Sequence, residues 1–109
     1  MQTRTVSVTG TGDSPWLRLD TWAGGQIGFQ AVTTGSVTSY TISTTFDDPD
    51  SPFYPVAVPT WDSSLTNVDG ASSTASGTIP AIPTFIKATI NTGTGSVVLT
   101  VTQSLNVPL

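Results

Sequence analysis

Thr84-Phe85-Ile86-Lys87-Ala88-Thr89-Ile90-Asn91-Thr92-Gly93-Thr94-Gly95-Ser96-Val97-Val98-Leu99-Thr100-Val101-Thr102-Gln103 carries the clearest structural signal in the chain. Ile86, Ala88 and Ile90 recur every second residue, and Val97, Leu99 and Val101 do so again after the Gly93-Thr94-Gly95 break. Side chains alternate between the two faces of a strand, so each half reads as a β-strand with one apolar face. Asn91 to Gly95 has the composition of a tight turn, and the simplest reading joins the two strands as a β-hairpin.

Four more strands lie towards the N-terminus. Thr3-Arg4-Thr5-Val6-Ser7-Val8-Thr9 alternates until Gly10-Thr11-Gly12-Asp13 stops it. Trp16 to Asp20 is a short strand, with Trp16 and Arg18 on one face and Leu17 and Leu19 on the other. Trp16 is expected in the core. Gln26 to Val32 aligns Ile27, Phe29 and Ala31, and Thr34-Gly35 then turns the chain into a strand from Ser36 to Phe46. In that strand Thr38, Tyr40, Ile42, Thr44 and Phe46 form the better core face. From Asp47 to about Ala81 the chain reads as one long irregular loop, because Pro49, Pro52, Pro55 and Pro59 each lack a backbone donor. A loop of that length carries function more often than it merely connects.

With 109 residues the chain is one domain, residues 1–109, with room for one modest core. Six or seven short strands and almost no helix-forming composition predict an all-β fold. The expected architecture is a single antiparallel β-sandwich, jelly-roll-like, with a small β-barrel as the alternative.

Composition removes several function classes. Charged residues make up only 9% of the chain and the formal net charge is −4, from seven Asp, no Glu and three basic residues. Arg4, Arg18 and Lys87 are too few and too scattered to neutralise a run of phosphates, so no nucleic-acid partner is expected. Without His or Cys, the usual Ser-His and Cys-His nucleophiles and the commonest metal ligands are unavailable. Met1-Gln2-Thr3-Arg4-Thr5-Val6 lacks the apolar run of a secretory signal, and no stretch reaches membrane-spanning length. The expectation is a protein with no membrane association, no enzymatic activity, no cofactor and no metal.

Two groups of residues are candidate sites. Asp47, Asp48 and Asp50 supply carboxylate oxygens of the kind Ca²⁺ takes, but at no recognised spacing, and they read better as a solvated turn. Asp62 or Asp69 opposite that cluster would give the two carboxylates of a glycosidase, and nothing singles out a pair. The aromatic residues are better candidates for contact with a partner. Phe53, Tyr54 and Pro55, together with Trp61, lie in the Pro-rich stretch, while Val107 and Leu109 lie in an apolar C-terminal tail suited to docking on a neighbouring subunit.

Four segments give the chain a wider likeness. They are Thr3 to Gly10, Trp16-Leu17-Arg18-Leu19-Asp20, Tyr40-Thr41-Ile42-Ser43-Thr44-Thr45-Phe46-Asp47-Asp48, and Gly93 to Gln103. Together this layout resembles small tailed-bacteriophage virion proteins of the capsid decoration or cement type. The resemblance implies a structural protein that stabilises the head through subunit contacts, and it implies no catalytic residues. It also implies the major capsid protein or other virion proteins as partners, a homo-oligomer (a trimer on a local threefold being natural), and location in the virion after assembly in the host cytoplasm. The competing class is a small carbohydrate- or receptor-binding β-sandwich of a tail or fibre. That class calls for two or more of Trp16, Trp22, Trp61 and Tyr54 on one flat exposed patch.

Overall fold

The computed structural model describes residues 2–19, 27–49, 59–79 and 83–103. Nine strands follow in chain order: β1 Gln2–Thr9, β2 Gly12–Asp13, β3 Leu17–Arg18, β4 Ile27–Thr34, β5 Val37–Thr45, β6 Asp69–Ala71, β7 Ala75–Ile79, β8 Phe85–Gly93 and β9 Ser96–Gln103. No helix occurs among the described residues. The strands form two antiparallel sheets. Sheet 1 has the order β1-β9-β4-β7, and sheet 2 has β2-β8-β5-β6 with β3 also paired to β8. With β2 and β3 taken as one interrupted strand, this is the eight-strand order of a jelly roll. Among the described residues the sheets remain open at β1 and β7 and at β2/β3 and β6, so the architecture is a sandwich and not a closed barrel.

The decisive stretch forms both expected strands, but they do not make a hairpin. β8 lies in the middle of sheet 2 and β9 in the middle of sheet 1. Ile86, Ala88 and Ile90 therefore face Val97, Leu99 and Val101 across the core, and all six are at most 2% exposed. A hairpin would have put both apolar rows on the same face of one sheet. The turn that joins them is instead an arch between sheets. The connection from β4 to β5 at Gly35 crosses in the same way, as does the one from β1 to β2 at Gly10.

These three crossings lock together at one end of the sandwich. The Thr94 and Gly95 N–H groups both donate to the Ser36 carbonyl at 2.9 Å, and the Gly10 N–H donates to the Gly95 carbonyl at 2.9 Å. Glycine is required here by close approach. A Cβ on Gly95 would lie 2.3 Å from the Thr34 carbonyl oxygen, and one on Gly93 would lie 2.5 Å from the Ser36 oxygen. Gly93 also has φ of 134°, which L-residues with side chains rarely adopt.

Sheet 1 supplies Val8, Ile27, Phe29, Ala31 and the β9 row to the core, and sheet 2 supplies Tyr40, Ile42 and the β8 row. Leu19, Val68 and Ile79 close its margins. Burying an aliphatic or aromatic side chain of this size is worth about 1.5–3 kcal/mol. Tyr40 is fully buried, and its hydroxyl donates to the Ser73 carbonyl at 2.5 Å.

Several sequence expectations are corrected. The strand expected at Trp16–Asp20 is reduced to Leu17–Arg18. Gly12 and Asp13 pair with Ile90 and Thr89, whereas Leu17 and Arg18 pair with Ile86 and Phe85, so the edge carries one extra residue around Pro15. Pro15 has no N–H to donate, and Trp16 bulges outward to 43% exposure instead of entering the core. In β5 the register shifts between Val37 and Tyr40. This brings Val37 into the core and leaves Thr38 exposed. Phe46 lies beyond the strand end and is 61% exposed, not buried. The supposed loop from Asp47 to Ala81 contains β6 and β7, held by Val68 and Ile79 in the core.

Candidate functional site

Among the described residues the carboxylates have local partners. The Thr60 N–H donates to Asp47 Oδ2 at 2.7 Å, and Asp48 pairs with Arg18 at 3.3 Å. Asp62 accepts from both the hydroxyl and the N–H of Ser64, which hold its carboxyl below the usual range. Asp69 accepts from the Thr41 hydroxyl at 3.1 Å. No group of three acidic side chains that could share a metal ion occurs among the described residues. Asp50, the third member of the expected cluster, lies outside them.

Of the residues singled out as partner contacts, Phe53, Tyr54, Pro55, Val107 and Leu109 lie outside the described residues, as does Trp22. Trp61 is described and half-buried. Its neighbour Asp62 bridges Thr44 on β5, with N–H to O distances of 2.7 and 2.9 Å. From that edge the Trp61 ring reaches over the outer face of sheet 2 to β8, where the Lys87 ammonium sits 4.3 Å from its centroid. Trp16 joins it from the bulged edge. The two ring centroids are 5.1 Å apart at an interplanar angle of 67°, and Trp16 also meets Phe85 at 5.6 Å. Arg18 lies over the other part of the cluster, 4.5 Å from the Phe85 centroid. Ser43 and Thr45 are buried on this same outer face.

The upper half of that face is polar. Asn91 donates to the hydroxyls of Ser39 and Thr41, at 3.2 and 2.9 Å. Asp13 accepts from the Thr89 hydroxyl at 2.7 Å and pairs with Lys87 at 3.4 Å. The Thr89 hydroxyl and the Lys87 charge together hold the Asp13 carboxyl below its usual value. The outside of sheet 2 is thus an aromatic and charged face with exposed Trp16 at its edge.

The outside of sheet 1 differs. Val8, the buried β9 row and Ile27, Phe29 and Ala31 point inward, so the alternate residues point out. From β1 these are Thr3, Thr5, Ser7 and Thr9, and from β9 they are Ser96, Val98, Thr100 and Thr102. β4 adds Gly28, Gln30, Val32 and Thr34, and β7 adds Ser76 and Thr78. None of them is charged. Hydroxyls pair across strands at Thr9–Ser96 (3.0 Å) and Thr5–Thr100 (3.5 Å). Val32, 38% exposed, lies opposite Val98 and forms the apolar centre of the face. Arg4, in phase with Val6 and Val8, sits on the inner side of β1, where its guanidinium donates to the Arg18 carbonyl.

The hydroxyl face was legible as alternation in each strand, but its continuity depended on strand order. The aromatic cluster joins residues 16, 61 and 85, which nothing local in the sequence connects. No family pattern, curated protein or solved structure matches this chain.

Proposed function

We propose that this chain is a non-enzymatic structural protein of a tailed-phage virion, a capsid decoration or cement protein that stabilises the head through subunit contacts. One fold hosts many functions, so the reading rests on the surfaces and not on the strand order alone. The observation that carries it is the pair of chemically different outer faces on opposite sides of one thin body. A protein that ties neighbours together needs two separate contact surfaces. The sheet 2 face offers Trp16 at 43% exposure beside Arg18, and Trp and Arg are the residues that anchor protein contacts. The sheet 1 face is broad, and none of its described residues is charged. The partners in this reading are the major capsid protein or other virion proteins and further copies of the chain, in the virion after assembly in the host cytoplasm.

Binding to the assembled shell but not to its dissociated subunits stabilises the shell by mass action. The test compares complete capsids with capsids lacking the protein, challenged by heat and by low salt. Complete capsids are expected to retain their contents under harsher conditions, and re-addition of the protein restores that resistance. Equal resistance of the two preparations would overturn the proposal.

A second reading, a carbohydrate- or receptor-binding module of a tail or fibre, draws on Trp16 and Trp61. Their rings stand at 67°, so they do not form the flat stacking platform this reading calls for. A glycan array that gives a binder, with binding lost in Trp16→Ala, would put this reading first.

A further inference from the structure

The two outer faces differ most in charge. Asp13, Asp47, Asp48, Asp62 and Asp69 all lie on sheet 2 or on chain joined to it, and so do Arg18 and Lys87. Among the described residues, sheet 1 has no charged side chain on its outer face. In a chain of formal net charge −4, this is the surface where two copies meet with least repulsion. From these observations we infer that the outer face of sheet 1 is where a second copy of this chain docks, the two sandwiches stacked sheet 1 to sheet 1. The inference goes beyond the virion reading and does not depend on it.

Three features support this occupant. Packed sheets lie about 10 Å apart, so a pair stacked through sheet 1 keeps its two carboxylate-bearing faces about 30 Å apart. That is about three Debye lengths at 0.1 M salt. The opposite stacking, sheet 2 on sheet 2, would bring the Asp side chains together and would also meet the Trp61 segment lying over that face. Second, the centre of the face is apolar at Val32 and Val98 and its surround is hydroxyl and amide, from Ser7, Gln30 and Thr100. An apolar centre without charge, inside a polar rim, is the usual anatomy of an interface. Third, three eight-residue strands and the five-residue β7, at about 3.3 Å per residue and about 4.8 Å apart, give about 460 Å² on each copy. The two copies together then come to about 920 Å², the size of a weak, transient contact, which sets the concentration range of the test below.

A face of this kind meets its own copy about a twofold axis, in a self-complementary contact. The structure therefore favours an even pairing over the threefold assembly expected from the sequence.

The test is mass by light scattering from micromolar to millimolar protein, on the whole chain. The wild type is expected to rise towards twice the 11.3 kDa chain mass. Val32→Glu puts two like charges at the centre of the contact and is expected to weaken pairing at least about tenfold. Thr38→Glu, exposed on β5 of sheet 2, is expected to pair as the wild type does. If Val32→Glu loses its cooperative unfolding transition, Thr5→Asp on the edge strand asks the same question and is expected to give the same loss. A wild type that keeps single mass to millimolar, a threefold mass, or pairing unchanged in the folded sheet 1 variant would each overturn the inference. The capsid assay is independent of all three results.

Discussion

Glycine is not interchangeable among the turns of this chain. At Gly95 an added methyl group would meet the Thr34 carbonyl oxygen at 2.3 Å and the Ser36 nitrogen at 2.8 Å, both backbone atoms that cannot step aside. Gly95→Ala is expected to cost more than about 2 kcal/mol, as overpacking of a fixed site does. Gly10 has positive φ but open space around it, so Gly10→Ala is expected to cost only the left-handed penalty of about 1 kcal/mol. Urea denaturation of both variants checks the contrast, and equal losses would contradict it. Asp13 gives a pH prediction. Its folded pKa lies below the unfolded value, so its contribution is present above about pH 4 and is lost as the pH falls through the folded value. The pair with Lys87 leaves the Asp13 side chain 52% exposed, which limits the effect to below about 1 kcal/mol. Asp13→Asn is expected to be less stable than the wild type at pH 7, and the gap is expected to narrow as the pH falls below about 4. An undiminished gap at low pH would show that the lost interaction is not ionic.

At the scale of elements, the segment from Trp61 to Val68 acts as a cover strapped to sheet 2. The Asp62–Thr44 bridge fixes its start, and the Thr66 hydroxyl, which donates to the Ile42 carbonyl at 2.6 Å, fixes its end. Trp61 supplies the cover itself. Trp61→Ala removes the ring over Lys87 and the contact with Trp16, for an expected loss of about 1–3 kcal/mol. It is also expected to speed hydrogen exchange at Thr44 and Asp62 relative to the β8–β5 ladder; exchange unchanged at both amides would contradict the strap. Little of this was legible in advance. β4, β8 and β9 could be read because a two-residue alternation is the mark of a half-buried strand. β6 and β7, in contrast, contain Gly70, Ser76, Gly77 and Thr78, and are strands because Val68 and Ile79 anchor them against strands already formed. The exposure of Trp16 has a related cause. The extra residue at Pro15 is visible only in the pairing with β8.

Over the whole molecule, the fold turns on which neighbours β9 takes. Alternation in residues 84–103 specifies two strands with one apolar face each, and both a hairpin and an arch satisfy that pattern. The choice is made by strands distant in sequence, since β1 and β4 pair with β9 on either side and leave β8 to the opposite sheet. That arrangement encloses the core and separates the neutral hydroxyl face from the charged aromatic one. Both proposed contact surfaces depend on this separation. Backbone NOE spectroscopy of the isotopically labelled chain tests it directly. The jelly-roll arrangement predicts cross-strand contacts from Leu99 to both Val6 and Ala31, and from Ala88 to Ile42. A ladder of backbone contacts joining Ile90 and Thr92 to Val97 and Leu99 would restore the hairpin and contradict the account.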